Sequence, residues 1–165
     1  MKYDKLIMEA ESNELIVRER PLRAYDGRIC GKKILIRNNL TVTKKTCVLA
    51  EELGHYYTTV GDILDQKEIT DVKQEIKARA WAYDKLVPIE ELKRAFDAGC
   101  KATYEIADYL DVDEGFLKNS LDHYTSKYGQ DFFGQIDKDT KLQVLFGGSS
   151  HQESAPKWLL DLLKG

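Results

Sequence analysis

The chain has 165 residues, 42% of them hydrophobic and 32% charged, with a net charge of -3 spread along its length. That is enough chain to bury roughly two-thirds of its unfolded surface in one ordinary domain. The composition excludes a disordered tail and a basic nucleic-acid arm. Three widely spaced cysteines, Cys30, Cys47 and Cys100, are odd in number and form no CxxC, so they suggest neither a disulfide framework nor a cysteine metal cluster, and small buried hydrophobes are expected. The N-terminal stretch Met1 to Ala10 is polar and charged, and no apolar run approaches the ~18 residues needed to span a bilayer. A cytoplasmic protein is expected, with no membrane partner.

In chain order, residues Lys2 to Ala10 read as a short amphipathic helix, and Leu15-Ile16-Val17 before Pro21 as a brief extended piece. Glycines then punctuate the chain. Arg28-Ile29-Cys30 and Lys33-Ile34-Leu35-Ile36-Arg37, separated by Gly31, fit two strands of a small antiparallel sheet joined by a tight turn. From Thr43 the apolar period becomes helical, with Thr43 or Thr46 as cap and Val48, Leu49, Leu53 and Tyr56 on the apolar side. After Gly61 and a polar loop, a second long helix should run from about Thr70 to Val87 and stop at Pro88. Pro88 also opens a third helix, Ile89 to Ala98, ended by Gly99.

Thr103 to Tyr124 has the outline of a helix-turn-helix, two helices around Asp111-Val112. Its second helix begins Asp113-Glu114-Gly115 and carries Lys118 as its only base, a poor match to a phosphate backbone, so direct nucleic-acid binding is not expected. Lys141 to Phe146 is a candidate last strand. Residues 147–165 read as a flexible linker, Gly147-Gly148-Ser149-Ser150, and a short amphipathic helix carrying Trp158 and four leucines. Domain organisation is thus a single domain over 1–146, containing the helix-turn-helix-like subregion 103–124, and an appendage over 147–165.

The string Glu51-Glu52-Leu53-Gly54-His55 carries the chemistry. Residues four apart share a helix face, so Glu51 and His55 can grip one cation while Glu52, turned by about 100 degrees, reaches a water bound to it. A glutamate so placed accepts a proton as that water attacks a peptide carbonyl. Glu75 supplies a third candidate ligand 20 positions after His55. Ala78 and Ala82 on its own helix would let that helix pack close to the first, and Gly54 removes bulk where a second backbone or a substrate strand would approach. Asp62 is a candidate for orienting His55 or as a fourth ligand, although loop capping also explains it. Tyr56 and Tyr57 could donate to an oxyanion or simply pack. His123 and Tyr124 close a later helix; His151 falls in the linker.

The string Leu49 to His55, followed by Glu75-Ile-Lys-Ala78-Arg-Ala-Trp81-Ala82 and Leu86-Val87-Pro88, resembles the ImmA/IrrE metallopeptidases, in which HELGH on one helix is followed by ExxAxxFA on the next. The resemblance covers roughly residues 13 to 125. It implies an α+β fold, a small antiparallel sheet packed against a helical, zincin-like metallopeptidase core and followed by further helices. Residue by residue it makes Glu52 the general base, His55 and Glu75 metal ligands, and Trp81 the aromatic beside the site, with His123 and Tyr124 on a substrate-side wall. The departure is Glu51 where the family carries its first ligand His.

Two carboxylates on one ion would make a bound water less acidic and widen the metal choice from Zn2+ toward Mn2+ or Fe2+. The implied activity is endoproteolysis of a protein partner, in phages and mobile elements a helix-turn-helix repressor. Two alternatives stay open. The chain could be a weakened or inactive member that binds the repressor as an anti-repressor, or it could be a DNA-binding regulator.

Overall fold

A computed structural model describes residues 1–59 and 68–129. Asp62, the candidate strand 141–146, His151 and the appendage 147–165 lie outside them. The described residues form a three-stranded sheet and six helices in two compact units, Met1–Leu86 with Asp111–Asp113, and Val87–Leu110 with Glu114 onward. The helix-turn-helix-like helices fall in the second unit.

The first unit opens with α1 (Lys2–Ser12), whose Tyr3, Leu6 and Ala10 recur at helical spacing on the buried side. It runs two residues beyond the expected Ala10, into a turn at Glu14, whose φ of 59° is positive. Strands β1 (Ile16–Arg20), β2 (Gly27–Cys30) and β3 (Lys33–Arg37) follow in the order β1-β3-β2. β2 and β3 pair antiparallel around Gly31, with Cys30 opposite Lys33. A wholly antiparallel sheet was expected, but β1 lies parallel to β3, Ile16 opposite Lys33, so the sheet is mixed. Side-chain alternation sends Ile34 and Ile36 of β3 into the core. The same alternation along β2 turns Arg28 and Cys30 outward, so Cys30 is exposed, contrary to expectation, while Cys47 is buried and Cys100 is intermediate.

The chain then enters α2 (Val42–Thr59). Its cap is Thr41, whose Oγ1 accepts a hydrogen bond from the Lys44 N–H at 3.2 Å. Of the two threonines expected to cap, Thr46 lies a turn inside and donates to the Val42 carbonyl, and Thr43 is the second residue of the helix. α3 (Glu68–Leu86) lies against α2 along a line of small residues. A Cβ on Gly54 would stand 2.3 Å from the Ala78 carbonyl oxygen, so the backbones meet there and the glycine is obligatory. Ala78 and Ala82 are fully buried on the facing side.

The second unit comprises α4 (Ile89–Asp97), α5 (Thr103–Leu110) and α6 (Glu114–Tyr128). Pro88 precedes the first of these with φ -61°, and Gly99 (φ +91°) ends it. Its core is filled by larger side chains, among them Leu92, Ile106, Leu117 and Leu121. Lys118 is engaged by Glu114 at 3.4 Å one turn away, and α6 carries a second base, Lys127, in its last turn. No helix among the described residues is long and apolar enough to cross a membrane.

Candidate functional site

α2 presents its apolar residues Cys47, Leu49, Ala50 and Leu53 to the core and its polar ones, Glu51, Glu52 and His55, along a half-buried flank. α3 brings Glu75 to the same flank. Because the Gly54–Ala78 contact fixes the helix separation at backbone distance, one side chain from each helix can span the gap. His55 Nε2 stands 3.1 Å from Glu75 Oε2. The other Glu75 oxygen, Oε1, accepts from Arg79 Nε at 2.7 Å. The sequence reading identified His55, Glu75 and the close approach, and passed over Arg79; the signal was Glu75 and Arg79 one turn apart with the acid first.

Glu52 lies on the sheet side of α2. It accepts a hydrogen bond from the Ile29 backbone N–H on β2, and burial, the largest influence, pushes its carboxyl up to about 7, with Glu51 and Glu75 adding to the rise. Gly27 makes the space. A Cβ there would come within 2.4 Å of Val48 Cγ1 and 2.9 Å of Glu52 Oε1. The missing side chain of Gly27 is what admits the glutamate. The Glu51 carboxyl is also raised above the ordinary carboxylate range, mainly by burial, with Arg79 and Lys44 pulling it down and Glu75 and Asp26 pushing it up. Four acidic side chains, Glu51, Glu52, Glu75 and Asp26, thus share one electrostatic neighbourhood, and two of them are held in poorly hydrated positions.

Donors on a tetrahedral zinc, each about 2.0–2.2 Å from the ion, stand about 3.3 Å from one another. His55 Nε2 and Glu75 Oε2 are spaced as two such donors. An imidazole nitrogen with carboxylate oxygens suits zinc and harder divalent ions, so the residues present fit a metal in their chemistry. As the side chains stand, the grouping stops at two. Among the described residues no three His, Cys, Asp or Glu side chains converge to hold an ion, and Glu51 is not joined to the pair.

The remaining candidates have other partners. Tyr57 is held by Asn13 Nδ2 at 2.9 Å and packs its ring on Trp81 with centroids 4.9 Å apart. Tyr56 stacks edge-on against Tyr57 at 5.2 Å. Tyr124, in the second unit, is fully buried and donates its hydroxyl to the Val87 carbonyl at 3.0 Å. His123 stacks beside it, ring centroids 5.7 Å apart.

A family model, Peptidase_M78, described as the IrrE N-terminal-like domain, matches residues 9–122. No curated protein and no solved structure matches the chain. With more than half of its length matched, from the end of α1 into α6, the chain belongs to the IrrE N-terminal-like family, a family of metallopeptidases.

Proposed function

We propose that the chain is a metal-dependent endopeptidase acting on a protein partner, with Glu52 as its general base and with His55, Glu75 and Glu51 as the side chains that hold the ion. The observation that carries this reading is Glu52. A carboxyl near neutrality, fixed by the Ile29 N–H one position along the helix from a candidate ligand, is matched to proton transfer at physiological pH. When bound, the ion supplies the Lewis acidity that polarises a peptide carbonyl and acidifies a water.

The protein residues do the rest. Glu52 takes one proton from the water as its oxygen attacks the carbonyl carbon, then delivers that proton to the amide nitrogen as the C–N bond breaks, so the carboxylate is regenerated. The bond from Ile29 restrains the glutamate for both transfers, and the space over Gly27 lets it occupy that position. Glu75 and His55 hold each other in register across the seam. Family membership favours zinc as the metal; the carboxylate-rich set also suits Mn2+ or Fe2+. The partner that this family reading points to is a helix-turn-helix repressor of a phage or mobile element.

A second reading, a non-cleaving repressor binder, is favoured by Glu51 in the place of a histidine and by Arg79 on Glu75. One experiment separates the two. The purified chain is incubated with a candidate repressor, and cleavage and metal content are measured for the unaltered chain and for Glu52→Gln. Cleavage falling by about a hundredfold or more with metal retained is expected; relief of repression that survives Glu52→Gln sinks the peptidase reading and leaves the binder.

A further inference from the structure

We propose that Arg79 is a built-in counter-cation that competes with a divalent ion for Glu75, so that loading the site requires this arginine to release its acid. The inference rests on the reading of Glu75 as a ligand and adds a residue that the family reading leaves without a role.

The geometry is direct. Glu75 divides its two oxygens between His55 on α2 and Arg79 on its own helix, at 3.1 Å and 2.7 Å. The glutamate precedes the arginine by one turn, the more favourable order for such a pair. A monovalent organic cation therefore already occupies one of the two oxygens of Glu75.

Arginine is suited to this. Its guanidinium stays charged throughout the working pH range, is weakly hydrated and binds a carboxylate through directed N–H groups. The Arg79 side chain is 51% exposed, so it can swing into solvent without opening the core. A dication taken up by Glu75 would meet a carboxylate whose charge is already drawn toward Arg79, and repulsion from the guanidinium itself. Both effects weaken loading, and both vanish with the arginine.

The test measures the affinity of the full chain for Zn2+ and for Mn2+ by competition with a chromophoric chelator, together with the melting shift each ion produces. Arg79→Gln is expected to bind both ions at least about tenfold more tightly than the unaltered chain, equivalent to about 1.4 kcal/mol, with a larger melting shift. Arg79→Lys, which keeps the charge and loses the directed fork, should fall between. Glu75→Gln should weaken binding whether or not Arg79 is present.

Equal or weaker binding by Arg79→Gln overturns the competition, and if Glu75→Gln still weakens binding the ligand reading stands. If no chain binds either ion, or Glu75→Gln changes nothing, the competition and the ligand reading fall together.

Discussion

The helix pair α2–α3 of the first unit and the pair α5–α6 of the second are built in opposite ways. Along α2–α3 the contact is made by Gly54, Ala78 and Ala82, and the acids Glu51 and Glu52 are held in poorly hydrated positions on its flank. In α5–α6 the buried side chains include Ile106, Phe116, Leu117 and Leu121, and the buried hydroxyls of Ser120 and Tyr124 donate to the carbonyls of Leu117 and Val87. The first pair holds ionisable groups where burial opposes their charge, the arrangement that the proposed site requires.

The difference can be broken most sharply at Gly54. Helix propensity alone would have Gly54→Ala stabilise α2 by about 1 kcal/mol. With the new methyl 2.3 Å from the Ala78 oxygen, the opposite is expected, a loss of about 3 kcal/mol or more from overpacking against backbone, read by denaturant unfolding. A stabilised variant would mean that the two backbones do not touch.

Glu52→Gln in chelator-stripped protein should act the other way, and only at higher pH. The folded carboxyl titrates near 7 and the unfolded one near 4.5, so the folded chain holds this proton more tightly. The resulting stabilisation is complete below 4.5 and lost as pH rises through about 7. At about 1.4 kcal/mol per pH unit the gap bounds the effect at about 3 kcal/mol, and partial hydration of the side chain should bring it to about 2. The unaltered chain and the glutamine variant should match near pH 4.5 and diverge by pH 8, with the variant the more stable; parallel curves would place Glu52 in water.

In the second unit, Tyr124→Phe should cost about 1 kcal/mol by removing one neutral hydrogen bond to Val87, with no dependence on pH between 5 and 8. That flat profile is the counterpart of the sloping one at Glu52.

Much of the first pair was legible in the sequence because its signals are local. Gly54 before His55, and Ala78 and Ala82 after Glu75, are small residues at helical spacing, and they required two backbones to meet. The antiparallel hairpin around Gly31 was legible for the same reason. The parallel partner of β3 was not, since nothing near Ile16 encodes a pairing with Lys33 across the rest of the sheet. The cap of α2 was ambiguous because Thr41, Thr43 and Thr46 compete, and only backbone geometry selects Thr41. Arg79 was hidden by its ordinariness, an i,i+4 partner of the kind that most often only decorates a surface. Glu52 was identified by position, but its environment depends on Gly27, 25 residues earlier in the chain, and so became visible only in the fold.

The contact at Gly54 also limits how this site can vary. Where side chains separate two helices, a family can retune their spacing through many small exchanges, each absorbed by its neighbours. Here main chain meets main chain, and nothing compressible lies between. On the proposed reading, variation in metal preference would arise at positions such as 51, 75 and 79, around a seam whose width is fixed, and a selection for new activity would do best to leave residues 54 and 78 untouched.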